Sequence, residues 1–134
     1  MDGRYLALVV RTSPHRTRPP PRRDAWTGCR IPDGTFVANY GTFEGHPAIK
    51  DFLRGHIAAG KEDGARHLGV NHVIEGDAKR AHMYSVVVKL QVEQPPFIIA
   101  TGVYRDTLVR TSDGWRFESR RLDIDPGAFA GPRA

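Results

Sequence analysis

The stretch from Arg66 to Leu90 constrains this chain more than any other. Its residues alternate between apolar and polar on either side of Glu75-Gly76-Asp77, the pattern of two half-buried strands joined by a tight turn. The middle of the chain is thereby committed to sheet. The same stretch opens with His67 and Asn71, four residues apart. Such a pair shares a face whether the backbone is extended or helical. Histidine takes or gives a proton near neutrality, and asparagine can hold a tautomer or donate to an oxygen that is gaining charge.

The flanking segments fill in the architecture. Pro32-Asp33-Gly34 is a turn signal leading into a short strand, Thr35 to Asn39. Gly45-His46-Pro47 starts a helix, with proline at or near the first helical position. Ile49, Phe52, Leu53 and Ile57 follow the 3.6-residue period, while Lys50, Asp51 and Arg54 face water. Gly60 to Gly64 closes the helix. After it come only strands, at about 67–75, 80–92, 96–110 and 115–124. The Glu-Gly-Asp turn, the Gln94-Pro95-Pro96 corner and Thr111-Ser112-Asp113-Gly114 join them, so neighbours run antiparallel.

An early helix followed by a strand meander predicts an α+β domain, a curved antiparallel sheet with helix on its concave side. Ile49, Phe52, Leu53, Val87, Ile98, Ile99 and Val103 form the expected core, part of it lining an apolar pocket between helix and sheet.

Composition narrows the class. The 134 residues suit one domain, and 40% hydrophobic with 26% charged residues is ordinary for a globular protein. The net charge of +5 is unevenly placed. Residues 1–30 carry seven arginines against Asp2 and Asp24, a balance of +5, whereas residues 31–134 carry thirteen basic and thirteen acidic side chains. The basic character therefore belongs to the N-terminal segment and not to a face of the domain, which argues against nucleic-acid binding. Pro14, Pro19, Pro20 and Pro21 keep a helix from running through residues 11–23, so residues 1–23 read as a flexible lead-in. The domain is expected over 24–125, with a frayed tail over 126–134.

Cys29 is the sole cysteine, so no internal disulfide forms. The apolar run Tyr5–Val10 is too short for a membrane span or signal core, and no apolar stretch follows Arg22-Arg23. A cytoplasmic protein without membrane contact is the expectation. His46, His56, His72 and His82 fall at irregular spacings, and no metal or other cofactor is expected.

Several motifs in order carry a resemblance. They are Pro32-Asp33-Gly34-Thr35-Phe36, Gly41-x-x-x-Gly45 leading to Ala48-Ile49 and Phe52, and His67-x-x-x-Asn71. Gly76-Asp77 with Ala81, Gly102-x-Tyr104-x-Asp106-x-x-x-Arg110, and Asp113-Gly114-Trp115 with Arg120 continue the series. Over roughly residues 22–125 the chain resembles the SnoaL-like branch of the NTF2-like superfamily. That family includes polyketide cyclases, scytalone-type dehydratases, ketosteroid isomerases and many proteins without known activity. The resemblance implies a cone of curved sheet and helices around a pocket, often dimeric through the sheet. In dehydratase-like members the first helix carries a Tyr-Asp pair before a Lys/Arg-Asp-Trp element, and that Asp orients the catalytic histidine. Here the matching element is Arg23-Asp24-Ala25-Trp26, which places Pro20 and Pro21 at the pair. Either this chain has lost that dyad, so that His67 lacks its carboxylate, or residues 1–30 are an atypical N-terminus.

The candidate catalytic residues are His67 as general acid or base, with Asn71 or Arg120 as donor to a developing oxyanion. Tyr40, Phe52, Tyr104, Asp106 and Trp115 are candidate substrate contacts. Each has a plainer alternative. Asn71 can close a local hydrogen bond, and Asp106 can pair with Arg110 or Arg120 across the sheet. Strict alternation from Trp115 puts Arg121, not Arg120, on the tryptophan's side, so the face of Arg120 depends on whether the strand carries a bulge. A salt bridge, for instance with Asp106, is its plainer role. Two functions are expected to compete. One is cofactor-independent dehydration, isomerisation or cyclisation of a hydrophobic oxygenated small molecule. The other is a ligand-binding or dimerisation module without chemistry.

Overall fold

A computed structural model describes residues 27–92 and 95–127. The lead-in, the Arg23–Trp26 element and the last residues of the tail lie outside the described residues. The elements are β1 (Arg30–Ala38), β2 (Gly41–Glu44), α1 (Gly45–Ala58), β3 (Ala65–Gly76), β4 (Arg80–Gln91), β5 (Phe97–Thr111) and β6 (Gly114–Ile124). They build one curved six-stranded sheet in the order β2-β1-β6-β5-β4-β3. The meander β3 to β6 is antiparallel throughout, as the hairpin connections require. The exception is β1, which lies parallel to β6. β2 was not anticipated, since four residues are too few to display a period.

Helix α1 matches its periodic pattern. Ile49 is fully buried, and the helix packs on β1 and β2. Phe52 fixes its seat: its ring lies 4.4 Å from that of Phe43 and 5.8 Å from that of Phe36. Such aromatic pairs add about 0.5–1.5 kcal/mol each beyond simple burial. On the water side Asp51 pairs with Arg54 at 2.6 Å.

The concave face is written most clearly in β4, where Ala81, Met83, Ser85, Val87 and Lys89 are buried in strict alternation. Met83 meets Leu108 and Phe117 in a core cluster, flanked by Ile74 and Trp115. The other face carries Val70, Val73, Tyr84 and Ile98, all substantially exposed. Ile98, expected in the core, is 62% exposed. A register shift between Lys89 and Leu90 sets it opposite Leu90 on the convex side.

Two further irregularities decide which side chains reach the concave side. In β3 the register slips between Val70 and Val73, so one residue is extra on that strand. Asn71 sits in this bulge with a left-handed φ of 55°. Before the bulge odd-numbered residues, His67 and Gly69, face the cavity; after it Ile74 turns inward, onto the Met83 cluster. In β6 the slip opposite Thr107/Leu108 does the same, so that Phe117 and Arg120 share the concave face. Strict alternation would have turned Arg120 outward.

Candidate functional site

Between α1 and the concave face lies a cavity of about 640 Å³ with mostly apolar walls, within the range of small-molecule sites. Tyr40, Phe52, His67, Tyr104 and Arg120 line it. Asn71, Asp106 and Trp115 do not. The bulge carries Asn71 off the wall and brings His72 onto it instead. Trp115 packs beside the Met83 cluster with Arg110 over its ring at 5.8 Å. Asp106, with no exposed side-chain surface, receives Nε and Nη2 of Arg120, both at 2.8 Å. This is the cross-strand pairing that the plainer alternative foresaw, with Asp106 directly opposite Arg120 in the sheet.

The polar groups fall at two levels. Arg120 is deep, its guanidinium 4.0 Å from the ring centre of Tyr104 and 4.4 Å from that of Phe117. Its pair with Asp106 consumes two donors in a fork, and the remaining N–H groups stay available to a ligand. Arg30 lies nearby between the rings of Phe36 and Phe117; burial, reinforced by Arg120, lowers its pKa to about 10. His67 is shallow, with 45% of its side chain exposed at the rim. In register it sits opposite Lys89, whereas Arg120 lines up through Asp106 with Met83, six residues along β4. Both nevertheless line the one cavity.

What His67 does touch is a carboxylate. Its Nε2 lies 2.8 Å from Oε2 of Glu62. The other oxygen, Oε1, is 3.0 Å from Nε2 of His56 and receives Nζ of Lys89 at 2.9 Å. Lys89 also donates to the carbonyl of Lys61 at 2.8 Å. The cluster is assembled by the turn between α1 and β3. Gly60 and Gly64, with φ of 69° and 65°, take up left-handed backbone that a side chain would resist, and they bracket Glu62. His56 lies in the last turn of α1, His67 near the start of β3 and Lys89 opposite it on β4.

Burial pushes the Glu62 carboxyl up, but hydrogen bonds from His67 and Lys89 outweigh it and hold the pKa at about 2. Burial lowers His56 against the pull of Glu62. Tyr40 at the rim is pushed up to about 12 by burial, with Tyr104 and Glu62 adding to it, so its phenol stays a hydrogen-bond donor. Burial also raises Tyr104, with Arg120 opposing.

Sequence reading did not single out Glu62, His56 or Lys89. The available signal was Gly60-x-Glu62-x-Gly64, a turn that fixes an acidic residue five positions before His67. Among the described residues, no group of three or more His, Cys, Asp or Glu is placed to hold a metal, and no helix is long and apolar enough to cross a membrane.

Comparison with known proteins follows the same lines. The model of the SnoaL-like domain matches residues 21–121. No curated protein matches the chain. Among solved structures it is similar to Rv3472, a protein of unknown function from Mycobacterium tuberculosis, at 28% identity and a TM-score of 0.68. That alignment covers 77% of this chain and 60% of the other, so the chain spans less than two thirds of that relative. A candidate scytalone dehydratase from Novosphingobium aromaticivorans DSM 12444 aligns at 26% identity and a TM-score of 0.63, over 77% and 70% of the two chains. An NTF2-like protein with a cystatin-like fold, from Novosphingobium aromaticivorans, aligns at 22% and 0.69, over 81% and 72%. The chain belongs to the SnoaL-like domain family, on an NTF2-like fold.

Proposed function

We propose that this protein binds a hydrophobic, oxygenated small molecule and moves a proton on it, as a cofactor-independent dehydratase, isomerase or cyclase. The observation that carries the reading is the 2.8 Å contact between His67 and Glu62 at the rim of an apolar cavity. An imidazole held by a carboxylate is the minimum needed for general acid–base work. His67 takes a proton from carbon beside a carbonyl. The C–H electron pair passes into the carbonyl, and the resulting enolate oxygen accepts a hydrogen bond from the phenol of Tyr40 or Tyr104. Arg120 suits a second, anionic group of the same ligand at the deep end. Phe52 supplies apolar wall. The similarity to a candidate scytalone dehydratase supports the reaction class.

The test is α-proton exchange in D2O on a panel of bicyclic ketones, followed by NMR. Exchange above the buffer rate, lost in His67→Ala with the fold intact, supports the reading. Binding without exchange across the panel counts against it.

A second reading, a dimerisation module, is favoured by the convex face. Val70, Val73, Tyr84 and Ile98 leave large apolar side chains exposed there, with the Arg105–Asp123–Arg121 ion pairs on β5 and β6 beside Tyr84. The partner is a second copy of the chain joined through the sheet. Sedimentation velocity on Val73→Lys would report a monomer where the parent protein sediments as a dimer.

A further inference from the structure

The structure assigns His56 to the same site: we infer that Glu62 is a positioning residue for two cavity imidazoles, fixing both His56 and His67 in the Nε2–H tautomer. The cavity thus offers two oriented bases where the family resemblance implies one. This rests on the proton-transfer reading for its use, though not for its geometry.

The argument is one of donors and acceptors. Both imidazoles line the cavity, and each presents Nε2 to a different oxygen of Glu62, at 3.0 Å and 2.8 Å. An ionised carboxylate has no proton to give. Each neutral ring must therefore carry its proton on Nε2, and Nδ1 is left with the lone pair. Lys89, only 11% exposed, clamps Oε1 and is itself tied to the Lys61 carbonyl. Phe52 packs against the second ring, His56, in a tilted contact with ring centres 5.3 Å apart.

The charges around the cluster agree. Lys61 and Glu62 face it from the turn, Lys89 from β4, and the phenols of Tyr40 and Tyr104 from the cavity wall. Burial and the two lysines keep His56 low against the pull of Glu62, so its ring is a neutral acceptor at physiological pH. Two oriented bases suit substrates that lose protons at two carbons, or at a carbon and a hydroxyl. A single-histidine site handles such a substrate only by reloading.

Long-range 1H–15N correlation spectra of the full chain at pH 8 test this without any substrate. The expected result is a protonated-type Nε2 and an unprotonated-type Nδ1 for both His56 and His67, each identified by its loss in His56→Gln or His67→Gln. Glu62→Gln should release both rings into mixed tautomers, with His46, His72 and His82 unchanged. A Nδ1–H tautomer at either ring in the parent protein overturns the inference. So does a response of only one ring to Glu62→Gln. The parent spectrum suffices if that variant fails to fold. Absence of ketone exchange with the tautomers as stated refutes proton transfer but leaves the shared-carboxylate geometry standing.

Discussion

Glu62 accepts a hydrogen bond from Nε2 of His67 at 2.8 Å, five residues along the chain. In dehydratase-like relatives the orienting Asp comes from the first helix. In the proposed reaction that part falls to Glu62, which sits in a glycine-bracketed turn between α1 and β3.

That carboxylate sets an acid limit. Its folded pKa is about 2 against an ordinary 4.5, so it is depressed by folding. A depressed carboxyl stabilises the native state fully above its unfolded pKa, and the contribution is lost as pH falls through the folded one. The window is therefore pH 4.5 down to 2, and the loss is at most about 3 kcal/mol. Urea denaturation across that range should show the slope in the parent protein and a flatter one in Glu62→Gln.

Removing one partner of the deep ion pair should cost more than removing any exposed pair. Asp106 is fully enclosed and bound through both oxygens to Arg120. Asp106→Asn leaves a buried guanidinium with half its fork, at a cost of about 3–5 kcal/mol. By contrast, Asp51→Asn in the exposed pair with Arg54 should change stability by less than about 1 kcal/mol. Chemical denaturation compares the two directly.

Asn71 is expected to be a backbone residue and not a ligand contact. At φ 55° a β-branched side chain is strained, so Asn71→Val should destabilise by about 1–2 kcal/mol. Asn71→Gly should be neutral and leave ligand binding unchanged. Loss of affinity in Asn71→Gly at full stability would return Asn71 to the site.

Helix docking rests on Ile49, the one residue of α1 with no exposed surface. Ile49→Ala should cost about 2–5 kcal/mol. Because α1 also forms a cavity wall, a thermal shift assay with a bound ligand should show a smaller ligand-induced rise in the variant.

The sequence by itself determined the order and kind of the main elements, because hydrophobic period and turn residues act locally. The period of Ile49, Phe52, Leu53 and Ile57 marks the helix, and the glycine–proline punctuation marks the hairpins. It also named part of the cavity wall: Tyr40, Phe52, His67, Tyr104 and Arg120. Tertiary structure alone decided which parity of each strand turns inward. One extra residue in β3 turned Asn71 out, and one in β6 turned Arg120 in. No local pattern announces such a bulge, since it is set by the neighbouring strand's register. The meeting of His56, Glu62, His67 and Lys89 is likewise a product of chain reversal. Residues on a helix end, a turn and two strands become one cluster only when the sheet has formed.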